Sequence, residues 1–169
     1  MALFNQLYQF KGKHADMVRK IVEAFGGNTV CRNIDVFYIS AVFGLWQHRR
    51  ADIDSETSIE PAKIDPEQMV RFNDEIEYFF HLAMLSDENY CKSIKVRTDK
   101  AFRYEPSSES SQRDEIHFTQ IVLGGLEFFY EQIVENTNSP NDIFCNLRDV
   151  VNSFYDEFGE ISEDEFYAK

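Results

Sequence analysis

Residues 34–46, IDVFYISAVFGLW, carry one charge in thirteen positions and are followed by Gln47 and the basic triplet His48, Arg49 and Arg50. A segment this apolar must be covered by the rest of the chain, so it constrains the fold more than any other stretch. It falls short of the roughly 20 apolar residues a membrane-spanning helix needs. Its length, its polar ends and the four-residue spacing of Phe37, Ala41 and Leu45 predict the central helix of a bundle, apolar nearly all round because neighbours surround it. Ile, Val, Phe and Tyr also favour strands, so a buried strand is the competing reading.

Four further segments supply the covering helices. Residues 13–25 place Met17, Val18, Ile21, Val22 and Phe25 on one helical face and stop at Gly26-Gly27. Asp65-Pro66-Glu67-Gln68 combines an N-cap, a first-turn proline and a capping-box glutamine, and Met69, Phe72, Ile76, Phe79, Phe80, Ala83 and Met84 continue at helical spacing. Residues 112–135 form the longest periodic run, interrupted by Gly124-Gly125. Paired glycines inside a helix cost about 1 kcal/mol each against alanine, which predicts a close helix contact or a kink there. Ser139-Pro140-Asn141-Asp142 opens a last helix over 141–158.

Between these, residues 51–64 make a long polar connection and 105–111, EPSSESS, read as a loop. Residues 92–103 are ambiguous, alternating like a strand in KSIKVR and reading as helix in TDKAFRY. With 16 Phe, 8 Tyr and 1 Trp in 169 residues, the expected fold is all-α, a single compact bundle of five or six helices with an aromatic-rich core, needing no disulfide or metal. One domain over residues 1–169 is expected. Within it, 160–169 form a mobile acidic tail, tethered only by Ile161, Phe166 and Tyr167. Cys31, Cys91 and Cys145 are 60 and 54 residues apart, an odd set with no C-x-x-C pair, and read as reduced thiols of a cytoplasmic protein. MALFNQLYQFKGK lacks the order of a signal peptide, so no export is expected.

Charge is split along the chain. Residues 1–50 hold seven Lys or Arg against three Asp or Glu, net +4, and residues 51–169 hold ten against twenty-seven, net −17. Such asymmetry marks either an oppositely charged partner or a solubilising acidic surface.

Signatures of chemistry are sparse. Asp114 and His117 stand three apart and Glu77 and His81 four apart, but no second three-residue step completes a helical carboxylate metal site. Asp52, Asp54 and Glu56 imitate a calcium loop, yet Thr57 stands where glycine belongs and Lys63 where a bidentate glutamate belongs. The glycine pairs have no P-loop lysine, and no nucleophile motif is present. Arg113 to His117 and Arg71 to His81 miss the spacing of small helical ribonucleases. No catalytic residue, metal or cofactor is assigned.

Two basic clusters remain. Arg49 and Arg50, with Lys11 and Lys13 as neighbours, either complement the negative end of the apolar helix or grip an anionic partner, at least one of them pairing with the acids of the 51–64 connection. Lys92, Lys95, Arg97, Lys100 and Arg103, interleaved with Tyr90, Phe102 and Tyr104, suit a protein partner or a nucleic-acid backbone, although net charge −13 disfavours a polyanion. Asp156, Glu157, Glu160, Glu163, Asp164 and Glu165 are the candidates for imitating a row of phosphates.

FKGKHAD at 10–16, RNIDVFYISAVFGL at 32–45 and DKAFRYE at 99–105 together resemble small uncharacterised helical proteins of bacterial anti-phage defence islands, including those associated with DNA phosphorothioation. The resemblance implies a non-catalytic companion of larger DNA-handling or ATP-driven proteins and assigns no functional residues. The leading expectation is therefore an accessory or adaptor subunit acting by protein–protein binding, with no membrane contact. The alternatives are an acidic DNA-mimic inhibitor, and a nucleic-acid binder or nuclease.

Overall fold

The apolar segment folds as helix α2 (Asn33–Trp46), and the strand reading is overturned. Ile34, Val36, Phe37, Ser40, Ala41, Phe43 and Gly44 are buried, on more than one side, as an all-round apolar helix requires. Its entry is fixed by Asp35, whose carboxylate accepts from the Arg32 backbone N–H at 2.8 Å and from the Arg32 guanidinium at 2.9 and 2.7 Å. The computed structural model describes residues 7–103 and 108–159.

The described chain forms two units, the first ending at Phe129 and the second beginning at Tyr130. In the first, β1 (Tyr8–Phe10) leads into α1 (Gly12–Ala24), α2 follows, and β2 (Ala62–Ile64) precedes α3 (Pro66–Arg71), α4 (Asn73–Ser86), α5 (Ile94–Phe102) and α6 (Glu109–Phe129). The second contains a π-helical turn (Tyr130–Val134) and α7 (Pro140–Phe158). The fold is all-α apart from one small antiparallel pair, in which Tyr8, Gln9 and Phe10 face Ile64, Lys63 and Ala62.

α2 and α6 pack backbone to backbone because glycines face each other. A Cβ on Gly125 would overlap the Ser40 carbonyl, one on Gly44 the Ile121 carbonyl, and one on Gly124 the Arg49 backbone. The glycine pair in α6 is thus a close contact. Aromatic rings fill the space around this axis. Phe37 meets Tyr8 at 5.0 Å and Phe118 at 6.3 Å between centroids, and Phe43 meets Phe128 at 5.3 Å and Phe129 at 5.5 Å. Edge-to-face rings at these separations add to what their buried area contributes.

Several expectations are corrected. The run after Asp65 is two helices, because Phe72 leaves helical geometry at φ −108° and ψ 22°. Asp65 makes no side-chain cap there; its carbonyl accepts from Gln68 and Met69. The ambiguous 92–103 segment is helical, capped by Ser93. α6 begins at Glu109, inside the expected loop, with the Ser108 hydroxyl accepting from the Ser111 N–H at 3.1 Å; of that loop, 105–107 lie outside the described residues. The long helix expected to reach Glu135 widens into the π turn.

Other details match or were unforeseen. Ser139 and Asp142 form the reciprocal cap expected for α7. The two short strands had no signal of their own. Residues 51–64 are tied down by the Ala51 N–H donating to the Gln120 carbonyl at 2.9 Å and by Asp54, which accepts from the Lys13 N–H at 3.0 Å and the Glu56 N–H at 2.9 Å. The three cysteines are free thiols. The expected tail, 160–169, lies outside the described residues, and no helix among the described residues is long and apolar enough to cross a membrane.

Candidate functional site

α5 divides the second basic cluster into an outer and an inner set. Lys92, Lys95 and Arg103 are exposed, and between them stand the exposed apolar side chains Ile94 (61%), Val96 (42%) and Phe102 (60%). Positions 94, 98 and 102 follow one helical face, which carries Ile94 and Phe102 with Thr98 between them and cations beside it, whereas Val96 stands on the far side of the helix. Arg103 pairs with Asp99 at 3.1 Å, and the Phe102 ring lies 4.8 Å from His81. Arg97 and Lys100 depart from the expected surface role. Arg97 is 6% exposed and donates to Glu88 at 3.1 Å, while its Nε and Nη1 find no acceptor. Lys100 Nζ donates to Asp114 Oδ1 at 2.6 Å and lies 5.2 Å over the Tyr90 ring. Tyr104 lies outside the described residues.

That inner set belongs to a polar network joining the α4–α5 connection to α6. Tyr90 donates to Asp114 Oδ1 at 2.6 Å and stacks on His117 at 3.7 Å and 7°. Burial, then the neighbouring Asp114 carboxylate, push the Tyr90 phenol well above its usual range. His117 Nε2 lies 3.1 Å from Asp87 Oδ2, and Arg50 Nη1 approaches the same oxygen at 3.9 Å. Burial holds His117 below the usual histidine pKa despite Asp87.

A second cluster centres on Glu127 of α6. Lys13 Nζ at 2.6 Å, His14 Nε2 at 3.1 Å and Arg49 Nη2 at 3.4 Å converge on it. Burial opposes ionisation of Glu127, but the hydrogen bonds from Lys13 and His14 outweigh it and lower its pKa. Burial lowers that of His14. Arg49 and Arg50 thus reach the acids of α6 and of the α4 end, beyond a helix that already stops at Trp46. The intervening His48 has φ +49°. Lys11 is exposed at the start of α1, its carbonyl accepting from His14 and Ala15.

These networks hold helices together. The cavity beside Arg50 and Asp87, about 50 Å³, has room for a water or so and falls far below the roughly 300 Å³ at which small-molecule pockets begin. A larger groove of about 750 Å³ runs past Arg19, Gly26, Gly27, Asn33 and Lys63, with Arg19 committed to the Glu60 carbonyl at 2.6 Å. Among the described residues no group of three His, Cys, Asp or Glu is placed to hold a metal ion. Asp156 and Glu157 are exposed on α7; Glu160, Glu163, Asp164 and Glu165 lie outside the described residues. Sequence reasoning singled out Lys13, Arg49, Arg50, Tyr90, Arg97 and Lys100 as members of basic clusters and Asp114 and His117 by their spacing, but it did not find Asp87 or Glu127, the acids on which Lys13, Arg49, Arg50 and His117 converge.

No family model matches the chain, and no solved structure matches it. A stretch of 91 residues is 35% identical to a 2-hydroxy-3-keto-5-methylthiopentenyl-1-phosphate phosphatase of Lysinibacillus sphaericus (strain C3-41), over 52% of this chain and 39% of that protein. The chain therefore spans about two fifths of the length of the curated relative it matches.

Proposed function

We propose that this chain is a non-catalytic accessory subunit of a bacterial multi-protein system, of the anti-phage kind its sequence resembles, and that it works by binding a protein through the outer face of α5. One observation carries the reading. On a chain of net charge −13, a nine-residue helix and its flanks gather exposed Lys92, Lys95 and Arg103 around exposed Ile94 and Phe102. Apolar side chains ringed by charge are the anatomy of a protein interface, with anchors at the centre and a polar rim. The complementary partner surface is acidic, with hollows for an aliphatic and an aromatic side chain. A nucleic-acid backbone fits less well, because the cations are few and the rest of the chain repels phosphates.

The test is affinity capture from native cells, comparing wild type with Lys92→Glu/Lys95→Glu and with Phe102→Ala. The reading expects a protein retained in near-stoichiometric amount by wild type and lost with both variants, with nuclease treatment making no difference. Identical retention by all three chains overturns it. The phosphatase relative suggests the opposite class of function, and phosphate release from a generic phosphomonoester by the purified chain would favour that class.

A further inference from the structure

We infer that residues 51–61 form a strap across the start of α1 that opens and closes as one piece, with the Asp54 carboxylate as its latch. No residue of this segment is buried, and Ile53 stands 49% exposed. A segment without a buried apolar anchor is held chiefly by its polar contacts and opens at low cost. At its ends the Ala51 N–H donates to the Gln120 carbonyl at 2.9 Å, and the Glu60 carbonyl accepts from the Arg19 guanidinium at 2.6 Å. In between, Asp54 makes the short contacts. Its Oδ2 accepts from the Lys13 N–H at 3.0 Å and its Oδ1 from the Glu56 N–H at 2.9 Å, whereas Asp52 reaches Gln120 only at 3.5 Å.

The same carboxylate completes α1. Among the described residues this helix has no cap of its own: Lys11 at its N-cap position makes no side-chain cap bond, and no acid stands in its first turn. Asp54 fills both roles from 41 residues away. It takes the N–H of the second helical residue, as an N-cap side chain does, and sets negative charge at the positive end of the helix dipole. Gly12 makes room for it. A Cβ there would overlap the Asp54 carboxylate, and φ +53° already disfavours any side chain. The backbone N–H groups of Glu56 and Lys13 hold the Asp54 carboxyl below the usual carboxylate range, so the latch stays charged at neutral pH. The turn that Asp54 caps also carries Lys13 and His14, which meet Glu127 of α6 at 2.6 and 3.1 Å. Opening the strap therefore loosens the start of α1 and its grip on Glu127 together.

Two readouts on the full chain at neutral pH test this: cleavage of the Glu56–Thr57 bond by a glutamyl endopeptidase, which tracks the open population of the strap, and amide hydrogen exchange in the first turn of α1. Asp54→Ala is expected to raise both about fivefold, as the loss of a helix cap does, with exchange in α6 unchanged. Arg19→Ala, which frees only the Glu60 end, is expected to change each by less than about twofold, as an exposed contact does. An Asp54→Ala chain that leaves either readout at its wild-type value separates the strap from the helix and overturns the inference. So does an Arg19→Ala chain that opens as far as Asp54→Ala, or a rise in exchange that extends through α6, which marks general destabilisation and no latch. None of these results bears on capture through α5, which uses different residues.

Discussion

Replacing Gly125 by alanine separates the two forces acting at the α2–α6 contact. In an isolated helix the change is favourable by about 1 kcal/mol, since glycine is that much poorer a helix former. In this protein the new methyl would overlap the Ser40 carbonyl and the Gly44 nitrogen, and both are backbone atoms that cannot rotate away. The helices must move apart by more than an ångström. A gap of even 0.5–1 Å forfeits a quarter to a half of each van der Waals contact along the seam, and overpacking of cores costs typically about 1–3 kcal/mol, occasionally more. Helix propensity is already counted in such costs, so the net expectation is a loss of about 2–3 kcal/mol. For a chain of this size that lowers the melting temperature by about 4–12 °C. Urea titration and thermal melting measure it. Gly27→Ala is the control, because Gly27 has φ +81° but nothing within 4 Å of a Cβ, so only backbone strain of about 1–2 kcal/mol applies. A Gly125→Ala chain as stable as wild type, or more stable, would refute the close approach and leave propensity alone in control.

Three further outcomes follow from the networks and caps. His14 and His117 are both held below the ordinary histidine pKa by burial. The unfolded chain therefore takes up protons first, and stability should fall as pH drops from about 6.5 while staying flat above it; denaturant titrations between pH 7.5 and 5.5 check this, and a His14→Gln/His117→Gln chain should show a flatter profile. Asp114→Ala removes the shared acceptor of Tyr90 and Lys100 and should cost about 2 kcal/mol, and adding Lys100→Met should recover part of that loss, measured as a double-mutant cycle. Ser139→Ala deletes the α7 cap and should cost about 1 kcal/mol, read as roughly fivefold faster amide exchange in the first turns of α7.

What the sequence disclosed follows from how local each cause is. The buried helix α2 was legible because thirteen consecutive residues agree, and the Ser139 cap because its four residues interact with one another. The glycine pair in α6 announced a contact, but its counterpart Gly44 carries no such signal, since a lone glycine inside an apolar run is unremarkable until α6 lies against it. The break at Phe72 escaped detection because apolar spacing continues across it. The strands β1 and β2 are three residues each, too short for a periodicity of two to register, and they pair only after residues 51–64 return beside the N-terminus. Arg97 and Lys100 show the same limit on α5. Every cation in a basic run looks solvent-facing, and only packing decides which ones turn inward to Glu88 and Asp114.

Binding through α5 is tested most directly by placing a photo-cross-linking amino acid at Phe102, the exposed ring at the end of the helix, and irradiating native cells. Val30, 73% exposed on the α1–α2 connection, serves as the reference position. The account expects a discrete protein adduct from position 102 that disappears with Lys92→Glu/Lys95→Glu and is absent from position 30. A nucleic-acid adduct at 102, or no adduct there at all, would contradict it.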